Sequence, residues 1–158
     1  MLFDLLTTDF TVIFLQNNFK MSLLYAYIAL AFSAFTSATI LPGTSEAAFA
    51  VFVHQFPTHA WGGWLCAGLF NGLGSMVSYG MGRLLPDKKR PSEKVMRWFE
   101  RYGTWTLLLA WVPIIGDALP IAAGWLRLNW LKCAVILLIG KLLRYAVILW
   151  SIQGLIAA

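Results

Sequence analysis

The sequence predicts an all-α integral membrane domain. Two opposed re-entrant helical hairpins pack with transmembrane helices as an inverted repeat, and a short cytoplasmic amphipathic helix lies on the surface. Three observations carry this expectation. Of 158 residues, 59% are hydrophobic and 12% charged, against roughly 45–50% and about 25% in soluble domains. The apolar sequence is broken twice by proline and glycine with an acid just behind, at Pro42-x-x-x-Glu46 and Pro113-x-x-x-Asp117. Most of the net charge of +5 sits in one short loop. A soluble globule of this size would lack the polar residues to coat its surface. A disordered chain needs low hydrophobicity and high charge, so that class is excluded as well.

The elements follow in order. Residues 1–20 read as an extension, dispensable to a single domain of residues 21–158, with Met21 as an alternative start. Asp4 and Asp9 precede any lysine, and no small-residue cleavage site follows a short apolar core, so no cleaved signal peptide is expected. Between Lys20 and Arg83 the only formal charge is Glu46, a stretch too long for one span of about 20 residues. Pro42 and Gly43 break it in mid-course, which predicts a first hairpin over 22–56 with about 20 residues on each side. The turn around Pro57 carries Trp61 and Trp64, an interfacial signature.

Residues 60–82 form the next predicted span. Gly68 and Gly72, followed by Gly74, Ser75, Ser78 and Gly82, offer small residues at helical spacing for close packing. Asn71 among them predicts a hydrogen bond between helices. The segment 83–102 then holds seven basic residues against Asp87, Glu93 and Glu100. Such a loop is the positive-inside signature of the cytoplasmic side and suits an anionic lipid surface. Within it Val95, Trp98, Phe99 and Tyr102 oppose Lys94, Arg97 and Arg101, as in a surface-lying amphipathic helix. A second hairpin is expected over 103–126, broken by Pro113, Gly116 and Pro120, with Gly124 behind. Arg127 and Lys132 follow, which returns the chain to the basic side. A last span covers 130–157. The two hairpin-plus-span units read as a degenerate repeat, and one intervening span inverts them. Transporters with this architecture hold substrate near the midplane, where broken helices meet.

Ionisable residues within a membrane cost at least about 2.5–3.5 kcal/mol to insert and are functional candidates. Here they are Glu46, Asp117, Lys141 and Arg144. Glu46 and Asp117 sit at the breaks, where each can exchange a proton during a transport cycle or simply cap the following half-helix. Lys141 and Arg144, three residues apart, share one face of the last helix. They hold an anionic head group, balance the two acids, or form a structural ion pair. Ser33, Thr36, Ser37, Thr39, Thr44 and Ser45 cluster at the first break and either line a polar groove or bond to backbone. No metal site is expected: His54 and His59 have no third ligand, and Cys66 and Cys133 each lie in an apolar run. No hydrolase, metalloprotease or nucleotide-binding motif occurs, so neither enzyme activity nor a cofactor is expected, and nucleic acid is not an expected partner. Two hairpins and two spans make a thin bundle, so association into a homo-oligomer is expected.

The segments "SAFTSATILPGTSE" (33–46), "RYGTWTLLLAWVPIIGDALPIAAGWLRLNW" (101–130) and "GKLLRY" (140–145) together resemble the DedA family of membrane proteins, also called the VTT or SNARE-associated domain family, and its small members most closely. The resemblance covers residues 22–155. It implies two opposed re-entrant hairpins and a role in lipid movement. In that family, some bacterial members return a polyprenyl-phosphate carrier across the membrane, coupled to protons or sodium, and eukaryotic relatives scramble phospholipids. By the resemblance Glu46 is the first-hairpin acid, and Pro113, Gly116, Pro120 and Gly124 belong to the second hairpin. Larger members place arginines around the second-hairpin proline, where this chain has Ala110 and Gly116. Lys141 and Arg144 are the cations left to meet a phosphate. The expected function is transport or scrambling of an anionic lipid across the inner membrane. The alternatives are a non-transporting scaffold or assembly factor, and a small-ion or proton channel.

Overall fold

A computed structural model describes residues 2–39, 44–86, 92–112 and 115–157; for residues 2–18, 115, 117 and 155–157 it describes the backbone alone. Every element among them is helical: α1 (Leu2–Ser37), α2 (Thr44–Gln55), a 3₁₀ turn (Pro57–His59), α3 (Ala60–Leu84), α4 (Glu93–Tyr102), a 3₁₀ segment (Gly103–Trp111), α5 (Ile115–Trp125) and α6 (Trp130–Ala157). Pro42, Gly43 and Pro113 lie outside the described residues. α1 runs through residue 20 without interruption. α2 is 12 residues long, well short of the 20 or so expected for the returning arm.

The pattern of burial is reversed from that of a soluble helix bundle. The outward face of α3 carries Trp61, Leu65, Leu73, Val77 and Met81, while its inward face carries Gly63, Ala67, Gly68, Asn71, Ser75 and Ser78. α6 behaves likewise. Leu143, Val147 and Trp150 are exposed, while Lys141 and Arg144 are 0% and 7% exposed. Charged residues are almost never buried in soluble proteins while their apolar neighbours face water. Apolar residues outside and small or polar ones inside is the arrangement that lipid selects. Among the described residues, Phe19–Ser37 and Trp130–Gly154 are long and apolar enough to cross a membrane. α3 has the length, at 25 residues, and its small inward face dilutes its hydropathy.

α1 and α2 form an antiparallel pair. Phe19 stacks edge-on to Phe56 at one end, Tyr27 meets Phe52 in the middle, and Ser45 donates to Ser37 at the tip. Gly68 faces Leu142 and Gly72 faces Leu138, so α3 and α6 run antiparallel. Trp64 Nε1 donates to the Leu142 carbonyl at 2.9 Å and fastens the same pair. Two apolar clusters result. One joins α1 and α2 to one half of α3 and of α6, around Phe49, Phe52, Tyr145 and Leu149. The other joins α4, the 3₁₀ segment and α5 to the opposite halves, around Leu107, Leu119, Cys133 and Leu137.

The arm before the second break is a 3₁₀ segment of nine residues, longer than the usual three or four. Its three-residue repeat puts Leu107 and Ala110 inside and Trp105, Leu108 and Trp111 outside. α5 contains Pro120, which supplies no amide to the Gly116 carbonyl and disturbs the helix there. α5 ends with Arg127 in the left-handed region at φ 54°. Leu128 N donates to Ala123 O and Arg127 N to Gly124 O, the double bond of a Schellman cap.

α3 and α5 touch through their backbones. A Cβ on Gly82 would overlap the Ile121 carbonyl, and one on Gly124 would overlap the Tyr79 carbonyl. A Cβ on Gly80 would meet nothing within 4 Å. Gly124→Ala and Gly82→Ala should therefore each destabilise the fold by about 1–3 kcal/mol through overpacking. Gly80→Ala should stabilise it by about 0.5–1 kcal/mol through helix propensity. Thermal melts of the three variants in one detergent check both signs.

Candidate functional site

α1 stops at Ser37 with its last carbonyls unable to find partners in their own helix. α3 supplies them. Asn71 Nδ2 donates to Ala34 O at 3.0 Å, and Ser78 Oγ to Ala38 O at 3.0 Å. Gly74 lets the two backbones close, since a Cβ there would stand 2.5 Å from Phe35 O. Thr39 N and Oγ1 both turn back to Thr36 O. Of the hydroxyls that clustered in the sequence, Thr36 and Thr39 bond to carbonyls of their own helix. Ser33 lines a groove of about 430 Å³ between α1 and α2, otherwise walled largely by Ala26, Leu30, Ala48 and Phe52.

A polar layer then crosses the bundle. Asn71 Nδ2 also donates to the Tyr145 hydroxyl at 3.2 Å. Ser45 lies beside that hydroxyl and donates to Ser37 at 3.0 Å. Polar groups of α3, α6, α2 and α1 thus gather at one level of the bundle. Beside it Arg144 binds Glu46: Nε donates to Oε1 at 2.7 Å, and Nη2 bonds the same oxygen. Glu46 is the third residue of α2, in its first turn, where the helix dipole favours an anion. Asn71 lies at the middle of α3 and Arg144 at the middle of α6. The ion pair therefore sits at mid-height, between the two apolar clusters. Its two members differ in access, at 8% side-chain exposure for Arg144 and 35% for Glu46.

Lys141 is fully buried one turn before Arg144. The preceding residue, Gly140, packs on the 3₁₀ segment, with the Leu107 and Leu108 carbonyls 3.8 and 3.7 Å from where its Cβ would be. α6 thus carries one cation to the first break and buries the other one turn earlier. Asp117 is the third residue of α5, the place Glu46 holds in α2; its side chain lies outside the described residues. Gly116 is buried against the Ala110 backbone, and Pro120 and Gly124 are buried in α5. Among the described residues no three His, Cys, Asp or Glu side chains converge. Tyr145, uncharged in an apolar run, does not stand out in the sequence as a site residue. Its place beside Arg144 and four residues after Lys141 was the available signal.

The site makes asymmetric demands on its two charges. Glu46→Gln leaves a guanidinium buried and unpaired and should cost about 3 kcal/mol. Arg144→Gln leaves a carboxylate with partial access to solvent and should cost about 1 kcal/mol. The double variant should be more stable than Glu46→Gln alone. Denaturant midpoints of the four proteins check the order.

Set against known proteins, the chain matches the model of the VTT domain over residues 41–153. It is 41% identical over 126 residues to the inner membrane protein YqaA of Escherichia coli K12, across 78% of this chain and 89% of that protein. The YqaA protein of Shigella flexneri gives the same figures. An uncharacterized protein of Haemophilus influenzae is 37% identical over 152 residues, across 89% of this chain and 92% of its own. No solved structure matches. A family model that spans most of the chain, together with relatives matched over most of both lengths, makes this chain a member of the VTT domain, or DedA, family.

Proposed function

We propose that the protein moves an anionic lipid, a polyprenyl phosphate or a phospholipid, across the inner membrane. It acts as a multi-pass transporter or scramblase with no enzymatic step and no cofactor. The observation that carries the reading is the Glu46–Arg144 pair. It stands at mid-height in an apolar bundle, at the tip of a broken helix, where transporters of this kind place their sites. The names of the two YqaA relatives support the inner membrane as location.

In this reading α1–α2 and the 3₁₀ segment–α5 are the two re-entrant hairpins, and they are related as an inverted repeat. Each unit has an apolar arm, a break, a short helix with an acid third, and a long helix behind. The basic segment with α4 faces the cytoplasm, as positive charge near spans favours. Glu46 takes up and releases the coupling proton. Protonation of its carboxylate frees Arg144, whose planar fork suits a phosphate. Lys141 and Asp117 play the matching parts at the second break. The thin bundle self-associates, which shields the mid-height charges from lipid.

Liposomes with a fluorescent phosphatidylglycerol or a polyprenyl phosphate on one leaflet test this. Wild type should move the lipid across, faster with an imposed proton gradient. Glu46→Gln, Asp117→Asn and Lys141→Gln/Arg144→Gln, each assayed below its melting temperature, should fall to the protein-free rate. Wild type that moves neither lipid, with or without the gradient, overturns the reading in favour of a scaffold.

A further inference from the structure

The face formed by α4, the start of the 3₁₀ segment and the start of α6 lies away from the ion pair and has no part in the proposed transport step. α4 turns Met96 and Phe99 into the bundle and leaves Lys94, Arg97 and Arg101 exposed. Those three cations line a surface hollow of about 380 Å³ with Trp98 and Tyr102. Glu93 and Glu100, on the same helix, are not among its walls. Arg101 lies over the Tyr102 ring, 5.5 Å from its centre. Gly103, at φ 57°, turns the chain out of α4, and the next two residues open a second hollow.

That second hollow is a groove of about 420 Å³ between the 3₁₀ segment and the first turns of α6. Trp105, Leu131, Val135 and Ile136 give it apolar walls, and Thr104 and Lys132 supply its polar lining. Trp105 and Trp130 are largely exposed there, as aromatic residues are at the edge of a bilayer. Tyr102 walls one hollow and Thr104 the other. They are two positions apart, so their backbones are within about 7 Å. The chain thus passes from the basic hollow to the apolar slot within three residues, and Lys132 stands in the slot itself.

We propose that this corner holds one anionic glycerophospholipid as a resident ligand, bound in place and not transported. An acyl chain fills the groove along Val135 and Ile136. The phosphate meets Lys132 and the α4 cations. The occupant is fixed by complementarity: the groove is of ligand-pocket size, its walls suit a hydrocarbon chain, and the charge beside it suits an anion. A zwitterionic lipid satisfies the groove and not the cations. A free phosphate satisfies the cations and not the groove. The site depends on the bundle's place in a membrane and not on whether the protein moves lipid.

The full-length protein in a neutral detergent is titrated with dioleoylphosphatidylglycerol, dioleoylphosphatidylcholine or glycerol phosphate, and its melting temperature is followed. A ligand that binds the folded state raises the melting temperature. Phosphatidylglycerol should raise it saturably, and the other two should not. Lys132→Gln, at an exposed position, should weaken the apparent affinity about fivefold. Arg97→Gln/Arg101→Gln/Lys132→Gln should abolish the selectivity. Val135→Trp, also exposed, should abolish the shift with every cation kept. The unliganded melting temperatures serve as folding controls, and Lys132→Gln alone suffices if a multiple variant is unstable. Equal shifts with the two phospholipids, a shift with glycerol phosphate equal to that of phosphatidylglycerol, selectivity that survives the triple variant, or an unaffected Val135→Trp overturns the proposal.

Discussion

A helix that stops inside apolar surroundings leaves carbonyls that no water can reach, and each must be met by another part of the chain. α1 ends in this way, and much of the bundle answers that demand. Asn71 and Ser78 of α3 bond the Ala34 and Ala38 carbonyls. They sit seven residues apart on α3, two turns of one face, with Gly74 between them to let the backbones close. The same Nδ2 of Asn71 also donates to the Tyr145 hydroxyl. That contact sets the rotation of α6 and aims Arg144 at α2. The ion pair at mid-height follows from where α1 stops.

The sequence announced much of this and concealed the rest, for physical reasons. Helical character was legible because long apolar runs in a membrane can satisfy their backbone only as helices or closed barrels. Family membership was legible because its marks are short segments around the breaks. Glu46, Lys141 and Arg144 stood out individually as charges in apolar sequence. The pairing of Glu46 with Arg144, across 98 residues, left no trace in any spacing. Tyr145 was hidden because a tyrosine in an apolar run reads as bulk. The conformation of the arm before the second break was hidden too. "GTWTLLLAW" carries no proline or glycine after its first residue, so nothing in its residue types separates a 3₁₀ segment from an α-helix.

The two halves are held by different balances of contact. The first half adds to the close backbone approach at Gly74 a set of directional polar contacts: the Asn71–Tyr145 bond, the Ser45–Ser37 bond and the ion pair. Each of these can be exchanged for another partner of similar strength. The second half is joined by backbone against backbone, where Gly82 and Gly124 each leave room for the other helix's carbonyl. Such a contact has steep repulsion on one side and loss of dispersion on the other. It has one good separation and no alternative partner.

Those two glycines therefore divide the molecule mechanically. α3 and α5, clasped at Gly82 and Gly124, make a rigid frame that cannot slide without parting two backbones. α2 is tied at its first turn by a salt bridge and a serine pair, and it leads into a 3₁₀ turn at Pro57–His59. Under the proposed transport, any large displacement falls to α2 pivoting on that turn. In that proposal the charge of Glu46, carried on the pivoting arm, is the latch that decides its position.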